Sequence, residues 1–478
     1  MTPRMRALGP VLVALAVMGC AHYPVNAKLE RYQPAVGYRF PVYPPAEPAD
    51  ALFACLSFSG GGTRAAALAY GVMAELKRAA ITWNGRKTTV LDEVDCISSV
   101  SGGSFTAAYY GLFGGRLFED FYGRFLLRDI QGELAERAAA NLFRLASPYW
   151  SHIDVAAELY HETIFDRRTF GGFLEAGRRP FVILNATNMV NGEHFAFTQD
   201  QFDFLASDLT PYPVARGVAA SSAFPFLLTP LTLENHSPLQ DFGPPKEYVN
   251  ALKDFDVNRR RWQWAEHQTA YLDGRKPYVH LMDGGLADNI GLRSIEQAYR
   301  ASDGFIAQRI AGGAMRRLVV VVVNARTQGA DTLSARATAP GLIDVGLATT
   351  TVAMDNYSVE TVELMRRLLN DRLQAERDIA ACQRVLDQRC PGGPPLLTFA
   401  AALRTCIVEV GFEAIRDPIR RDYFLRLGTN FHLPQKDVDA LISVGGELLR
   451  QSPDWLRLLD SLAREASGTP LDPAANCA

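Results

Sequence analysis

The sequence predicts an α/β fold, with a mostly parallel central sheet and helices on both faces. Residues 318–323 form an uninterrupted apolar run, Leu-Val-Val-Val-Val-Val, which is typical of a strand buried on both faces. Residues 52–56 and 94–97 are two further strand-like runs. Each is followed by a turn rich in glycine and serine and then by helix-like sequence, such as residues 66–79. Strands that alternate with helices in this way favour a parallel sheet.

The two turns that follow these strands have the composition of a split acyl-transfer site. Residues 57–64 read Ser-Phe-Ser-Gly-Gly-Gly-Thr-Arg, and the N–H groups of such a glycine run can stabilise an oxyanion. Residues 98–104 read Ser-Ser-Val-Ser-Gly-Gly-Ser, close to the nucleophile elbow G-x-S-x-G with Ser99 at the first glycine position. Ser101 is therefore the predicted nucleophile. In open α/β sheets such turns sit at the carboxyl ends of the strands.

A third segment, residues 278–285, supplies a candidate general base. It is a short apolar run that ends in Asp283 at a glycine turn. His280 lies in the same run, but strand alternation places it on the face opposite Asp283. We therefore predict that His280 is a packed strand residue. The sequence contains neither H-E-x-x-H nor paired Cys-x-x-Cys, and we expect no metal and no cofactor.

These blocks, in this order, resemble the patatin-like phospholipase family, whose members are acyl hydrolases with a Ser–Asp dyad. The resemblance covers roughly residues 52–326, and residues 427–433 loosely resemble a later family segment. It implies that Ser101 and Asp283 are catalytic. The family's oxyanion loop, G-G-G-x-[RK]-G, falls on Gly60, Gly61, Gly62 and Arg64, with Ala65 at the last glycine position.

Two further features of the resemblance concern supporting residues. Residues 220–225, Ala-Ser-Ser-Ala-Phe-Pro, are similar to the family's A-S-x-A-x-P block, and we expect them to act as structural support. Arg64 has two interpretations: it either braces the glycine loop and adds positive potential there, or pairs with a surface carboxylate.

The predicted function is hydrolysis of carboxylic ester bonds in phospholipids or related lipids. Two alternatives remain open: a thioesterase or general carboxylesterase with the same residues, and a non-catalytic lipid-binding lipoprotein of the cell envelope. The net charge of −3 gives no reason to expect a nucleic-acid partner. The sequence does not indicate an oligomeric state.

The amino terminus predicts export and lipid anchoring. Residues 1–19 have basic, apolar and small-residue regions in the order of a signal peptide, and Gly19-Cys20 resembles the end of a bacterial lipobox. Cys20 is thus the predicted lipid anchor, and Ala21 after it favours the outer membrane. Residues 20–50 contain six prolines, which predict either an extended tether or a coil that packs along the domain.

The remaining chain divides into a hydrolase core, residues 51–330, and a mainly helical region, residues 331–478, packed on that core. Helical spacing of apolar residues recurs in residues 344–386 and 434–462. Cys382 and Cys390 are the preferred disulfide pair, whereas Cys55 and Cys96 are interpreted as buried thiols. Residues 236–276 are an insertion with a charged-aromatic stretch, predicted to be either a lid or a solvated helix face.

Overall fold

The computed structural model describes residues 21–42, 51–225, 227–313, 315–328, 337–393, 403–469 and 477. The strands within these residues are β1 Ala27–Lys28, β2 Leu52–Phe58, β3 Ala80–Trp83, β4 Arg86–Thr89, β5 Val94–Val100, β6 Phe181–Asn188, β7 His194–Ala196, β8 Ser207–Asp208, β9 Leu231–Glu234, β10 Tyr278–Asp283, β11 Arg317–Asn324 and β12 Arg404–Gly411. The α-helices are α1 Gly62–Arg78, α2 Gly102–Phe113, α3 Leu117–Phe121, α4 Ile130–Ala140, α5 Leu142–Leu145, α6 His152–Thr163, α7 Gly171–Ala176, α8 Gln199–Asp203, α9 Val214–Ser221, α10 Lys246–Ala251, α11 Arg259–Thr269, α12 Gly285–Asp288, α13 Arg293–Arg300, α14 Phe305–Ala311, α15 Leu342–Arg389, α16 Pro418–Leu425, α17 Gln435–Gln451 and α18 Pro453–Ser467.

A central sheet organises the fold, in the strand order β12-β11-β2-β5-β6-β10-β9, with β7 paired to β6. The five strands from β12 to β6 are parallel, whereas β10 runs antiparallel to both β6 and β9. Every residue of β2, β5, β6 and β11 is buried, so other elements cover both faces of the sheet there. The predicted fold class is confirmed.

The carboxyl-terminal region is mainly helical, as predicted, and it also completes the sheet. Strand β12 pairs in parallel with β11 along its whole length. Helix α17 packs closely on α1, since a Cβ atom on Gly71 would overlap the carbonyl of Ile442. Glycine at Gly71 is what lets the two helices approach at backbone distance. Helix α15 has 48 residues, yet none of the described helices combines the length and the apolar composition needed to cross a bilayer.

The described part of the amino-terminal arm, residues 21–42, packs on the domain. Strand β1 pairs with β8, and the Tyr38 ring is fully buried against Phe173 and Phe181. Arg39 is also buried, and its guanidinium forms an ion pair with Asp203 at 2.6 Å. Over residues 21–42 these contacts favour the coil packed along the domain over the extended tether. Residues 43–50 and the predicted signal peptide lie outside the described residues.

The disulfide expectations require correction. Cys55 and Cys96 are bonded to each other across strands β2 and β5, where they face one another in register with Cα atoms 4.7 Å apart. A second disulfide joins Cys406 to Cys477. Cys382 and Cys390 are exposed free thiols. Cys390 caps helix α15 eight positions beyond Cys382. That separation along a helix is about 12 Å, far beyond the reach of a disulfide.

The insertion, residues 236–276, folds into α10 and α11. The Trp264 ring stacks on Tyr248, and the Trp262 ring contacts Phe255, so both indoles pack within the insertion itself. Arg261 pairs with Glu247 of α10 at 2.7 Å. These contacts favour the interpretation as a solvated helical element over the lid.

Candidate active site

Pairing of β2 with β5 brings the glycine turn and the serine turn together. Phe58 lies opposite Ser99, so the residues that follow both strands emerge side by side at the same edge of the sheet. A Cβ atom on Gly102 would overlap the carbonyl group of Gly62, which means that the two turns touch backbone to backbone. Only glycine permits this approach.

Ser101 occupies the sharp turn between β5 and α2. Its backbone φ is +49°, a left-handed conformation that is uncommon for serine. The Ser101 N–H donates to the Ser221 hydroxyl oxygen at 2.8 Å, and this bond helps to hold the turn. The residue is 6% exposed at the amino-terminal end of α2. This geometry is that of a nucleophile elbow.

Asp283 lies at the end of β10, and its carboxylate interacts electrostatically with the Ser101 side chain. The side chain is 1% exposed, and the Gly285 N–H donates to its Oδ1 atom at 2.8 Å. Burial raises the pKa of Asp283 to about 7, and hydrogen bonds from Gly285 and Ser101 oppose that rise. A carboxylate with this pKa and a hydrogen bond to a serine has the properties of a general base near neutral pH.

The three glycines of the loop differ in what their N–H groups do. The Gly60 N–H donates to the Asn289 carbonyl at 2.8 Å, so it is already satisfied. This contact argues against Gly60 as an oxyanion donor and corrects that part of the prediction. Gly61 and Gly62 have φ values of +136° and +59°, and within the described residues we find no hydrogen-bond partner for either N–H. They stand at the amino-terminal end of α1, where free N–H groups and the helix dipole favour an anion.

Arg64 is buried and donates to three oxygen atoms. Its guanidinium binds the carbonyls of Ala325 and Leu427 and the hydroxyl of Thr429, at 2.9, 2.6 and 3.1 Å. Burial lowers the pKa of Arg64 to about 10, which still leaves it protonated at neutral pH. The contacts match the bracing interpretation, because they connect the start of α1 to the end of β11 and to the carboxyl-terminal region.

The block at residues 220–225 connects the two catalytic candidates. The Ser221 hydroxyl accepts from the Ser101 N–H, while the Ser221 carbonyl accepts from the Gly284 N–H at 3.1 Å. The Asp283 N–H donates to the Ala223 carbonyl at 3.0 Å. The block therefore fixes the distance between the serine turn and the aspartate turn, which is the structural support expected for it.

Replacement of Ser221 by alanine should disturb that geometry. We expect Ser221→Ala to lower the free energy of unfolding by about 1–3 kcal/mol, because the buried Ser101 N–H loses its acceptor. The catalytic rate constant kcat should fall while KM changes little. Ser222→Ala is the matched control, since the Ser222 hydroxyl donates to the Val218 and Ala219 carbonyls of its own helix and not to the serine turn. Denaturant titration and steady-state kinetics provide the readouts, and equal effects of the two variants would contradict the assignment.

No histidine takes the position of a base in the described residues. The Nδ1 atom of His280 lies 3.0 Å from the Thr232 hydroxyl on the neighbouring strand. His194 is buried below the sheet edge against Asn185 and Ser294, and burial lowers its pKa to about 4. A neutral imidazole held at Nε2 by Asn185 and Ser294 has no part in proton transfer at the serine. The prediction that His280 is a packed strand residue agrees with its contacts.

Sequence reasoning missed two asparagines that shape the site. The Asn430 carbonyl accepts from the Thr63 N–H at 2.9 Å and thereby buttresses the glycine loop from the carboxyl-terminal region. The Asn289 side chain lies between Gly60 and Gly285, and a Cβ atom on Gly60 would come within 2.6 Å of its oxygen. Asn289 stands six residues beyond Asp283, but asparagine in a turn has no motif by which the sequence could have identified it.

A sequence model of the family described as patatin-like phospholipase matches residues 56–295, half of the chain. That segment contains both turns, the block at residues 220–225 and Asp283. The chain belongs to the patatin-like phospholipase family. This membership confirms the family that the sequence motifs predict. No protein with curated annotation matches the sequence.

Solved structures of a human enzyme are also similar. The human GIVD cytosolic phospholipase A2 shares 14% identity with this chain at a TM-score of 0.44, covering 87% of this chain and 63% of the human one. The same enzyme in complex with methyl gamma-linolenyl fluorophosphonate gives 13% identity and a TM-score of 0.41, covering 88% of this chain and 60% of the human one. The chain thus spans less than two thirds of the length of these structures.

Proposed function

We propose that this protein hydrolyses carboxylic ester bonds of phospholipids or related lipids with Ser101 as nucleophile and Asp283 as general base. Ser101 Oγ attacks the acyl carbonyl carbon as its proton passes to the Asp283 carboxylate. The carbonyl oxygen becomes an oxyanion, which the N–H groups of Gly61 and Gly62 stabilise. Loss of one such donor typically costs about 3 kcal/mol of barrier.

The tetrahedral intermediate then collapses. The ester bond breaks, the leaving alcohol takes the proton from Asp283, and the acyl group stays on Ser101. A water molecule attacks this acyl-enzyme, again with its proton passing to Asp283. Release of the fatty acid returns that proton to Ser101 Oγ, so the enzyme is regenerated.

One arrangement carries the proposal: the Asp283 carboxylate is 1% exposed with its pKa raised to about 7, and Ser221 ties its turn to the left-handed turn that presents Ser101. An unperturbed aspartate is too weak a base to activate a serine efficiently. Burial makes Asp283 a stronger base while keeping it largely ionised above neutral pH. The single proton acceptor also explains why a histidine is not needed at this site.

Covalent labelling tests the nucleophile and the base together. Ser101 Oγ should attack the phosphorus of an alkyl fluorophosphonate and displace fluoride into solvent, and peptide mass spectrometry should find the phosphonyl adduct on the peptide that contains Ser101. Because Asp283 must be ionised to accept the proton, the labelling rate should rise with pH through about 7 and then level off. Ser101→Ala should abolish the adduct. An adduct on another serine, or a rate that is flat from about pH 5 to pH 9, would contradict the assignment.

We further propose that the mature protein begins at Cys20, carries lipid on that residue and is held at the cell envelope, in the outer membrane. The order of basic, apolar and Gly-Cys segments before Ala21 supports this proposal. The disulfides Cys55–Cys96 and Cys406–Cys477 also support export, since disulfides persist in oxidising compartments.

The anchor is tested by substitution of its thiol. Cys20→Ser should leave the precursor uncleaved or shift the protein out of the detergent-extracted envelope fraction, because the acyl acceptor is gone. Intact-mass spectrometry of the wild-type protein should show a chain beginning at Cys20 with added acyl mass. Cys390→Ser, at an exposed free thiol, serves as the control and should change neither property. A mature chain that begins beyond Cys20 without acyl mass would refute the anchor.

A further inference from the structure

Residues 21–23 are held on the surface of the domain by residues 147–149. The Ser147 hydroxyl donates to the Ala21 carbonyl at 2.6 Å, and the Tyr23 N–H donates to the Tyr149 carbonyl at 2.8 Å. The rings of His22 and Tyr149 stack with centroids 5.2 Å apart. Consecutive Cα atoms are separated by about 3.8 Å. Because Cys20 is bonded to Ala21, a lipid on Cys20 would be attached one residue from this contact with residues 147–149.

Exposed apolar side chains surround that point. Leu142 and Phe143 on α5 are 65% and 64% exposed, and the Tyr149 ring is more than half exposed. Backbone hydrogen bonds from Ala146 to Leu142 and from Ser147 to Arg144 place α5 one turn away from the residue that holds Ala21. Single exposed apolar residues are ordinary on protein surfaces, but a cluster of them indicates a contact surface.

A mostly apolar cavity of about 430 Å³ lies next to this cluster. Its lining includes His152, Met189, Leu227, Leu228, Pro230 and Met282. The Thr229 hydroxyl, also in the lining, donates to Ser151 at 2.8 Å, which joins the cavity wall to the segment that holds Ala21. The lining also includes two residues that adjoin the Asp283 backbone: Met282 precedes Asp283 on the other face of β10, and the Ala223 carbonyl accepts the Asp283 N–H.

We propose that these features form one docking face for a lipid bilayer, composed of Leu142, Phe143, Tyr149, Met189 and Leu227. The inference rests on the proposed function and on acylation of Cys20. An anchor one residue from the face raises the effective concentration of bilayer there, so that modest apolar contacts are enough to seat the protein. An acyl chain from the bilayer would enter this apolar cavity, whose lining residues Met282 and Ala223 adjoin the Asp283 backbone.

Charge at the face favours contact with the apolar part of the bilayer over attraction to anionic headgroups. Arg144, the basic residue of α5, pairs with Glu158 at 2.6 Å and lies over the Trp150 ring, so its charge is already compensated. Docking through apolar side chains should be insensitive to salt, unlike docking through a basic patch.

Depth-dependent fluorescence quenching tests the face directly. The full-length lipidated protein is prepared with Ser101→Ala, which keeps the vesicle lipid intact, and with Cys382→Ser and Cys390→Ser, which remove the free thiols. A fluorophore on Phe143→Cys should be strongly quenched by phospholipids with brominated acyl chains, in low and high salt alike. The same fluorophore on Ile419→Cys is the control. Ile419 is 83% exposed and lies on α16, which follows β12 in the chain. Strand β12 is the edge of the sheet opposite β9.

A second measurement uses the active enzyme. Leu142→Ser with Phe143→Ser should slow hydrolysis of long-chain phospholipid in vesicles and leave hydrolysis of short dispersed esters unchanged. Ile419→Ser should change neither rate. Equal quenching at positions 143 and 419, or none at 143, would overturn the proposal and leave the face to a protein partner or a second copy of the chain. If the enzyme without substitutions does not hydrolyse esters at all, the proposed function is refuted, and the quenching result still stands by itself.

Discussion

Ser101→Ala and Asp283→Asn should each lower kcat/KM for ester hydrolysis by about 10⁴-fold or more. In the proposed mechanism Ser101 Oγ and the Asp283 carboxylate form one proton-transfer pair, so the loss of either group removes the same step. The double variant should therefore be little worse than either single variant. Steady-state kinetics with a soluble short-chain ester measure all three rates without interference from bilayer binding.

His280→Ala is the informative control for that experiment. His280 is near Asp283 in sequence, but its ring faces Thr232, so its removal should leave kcat/KM within a few-fold of the wild type. Circular dichroism should show that every variant folds. An Asp283→Asn enzyme with nearly normal activity, together with an inactive His280→Ala enzyme, would replace the dyad by a histidine-dependent mechanism.

The two candidate catalytic residues could be predicted from the sequence because each lies at a turn with characteristic neighbouring residues. Ser101 follows a strand and precedes paired glycines, and Asp283 ends an apolar run at Gly284. The backbone conformation of such turns admits only certain residue types, so the turns can be identified from the sequence alone. The parallel sheet was predictable for a similar reason, since a run such as residues 318–323 has few alternatives to a doubly buried strand.

What the sequence could not provide depends on register and on distant contacts. The assignment of Gly60 failed because its N–H is taken by the Asn289 carbonyl, more than two hundred residues along the chain. Cys55 and Cys96 form a disulfide because β2 and β5 pair with those two residues opposite each other, a register that composition does not specify. The proline content of residues 20–50 predicted irregular, extended backbone. It could not predict that Tyr38 is buried against aromatic rings of the domain.

This last contact changes how the arm should be treated in experiments. Deletion up to residue 50 would remove Tyr38 and Arg39, both buried, together with the ion pair to Asp203. Loss of a large buried aromatic side chain alone costs about 3–5 kcal/mol. A soluble form should therefore retain residues 21–50 and begin just after Cys20, the proposed acylation site.

Asp283→Asn should also stabilise the protein, even though it abolishes catalysis. The folded-state pKa of Asp283 is about 7, against an ordinary value of 3.8, because burial penalises the charged form. Between these two values the folded state binds a proton that the unfolded state does not, so the wild type loses stability as pH rises through that window. A neutral amide avoids this loss. The gain should be small near pH 4, grow up to about pH 7 and then level off, at most on the order of 4 kcal/mol.

Thermal or denaturant unfolding of wild type and Asp283→Asn across that pH range measures the difference in unfolding free energy. Ser101→Ala is the matched control, since it removes catalysis but keeps the buried carboxylate and should show no comparable gain. The amide oxygen of asparagine can still accept the Gly285 N–H, so the turn keeps its hydrogen bond. A variant that is less stable than the wild type at high pH would mean that the ionised carboxylate is stabilised in place by its two hydrogen bonds. Asp283 would then titrate near its ordinary pKa, too low for an efficient base at neutral pH.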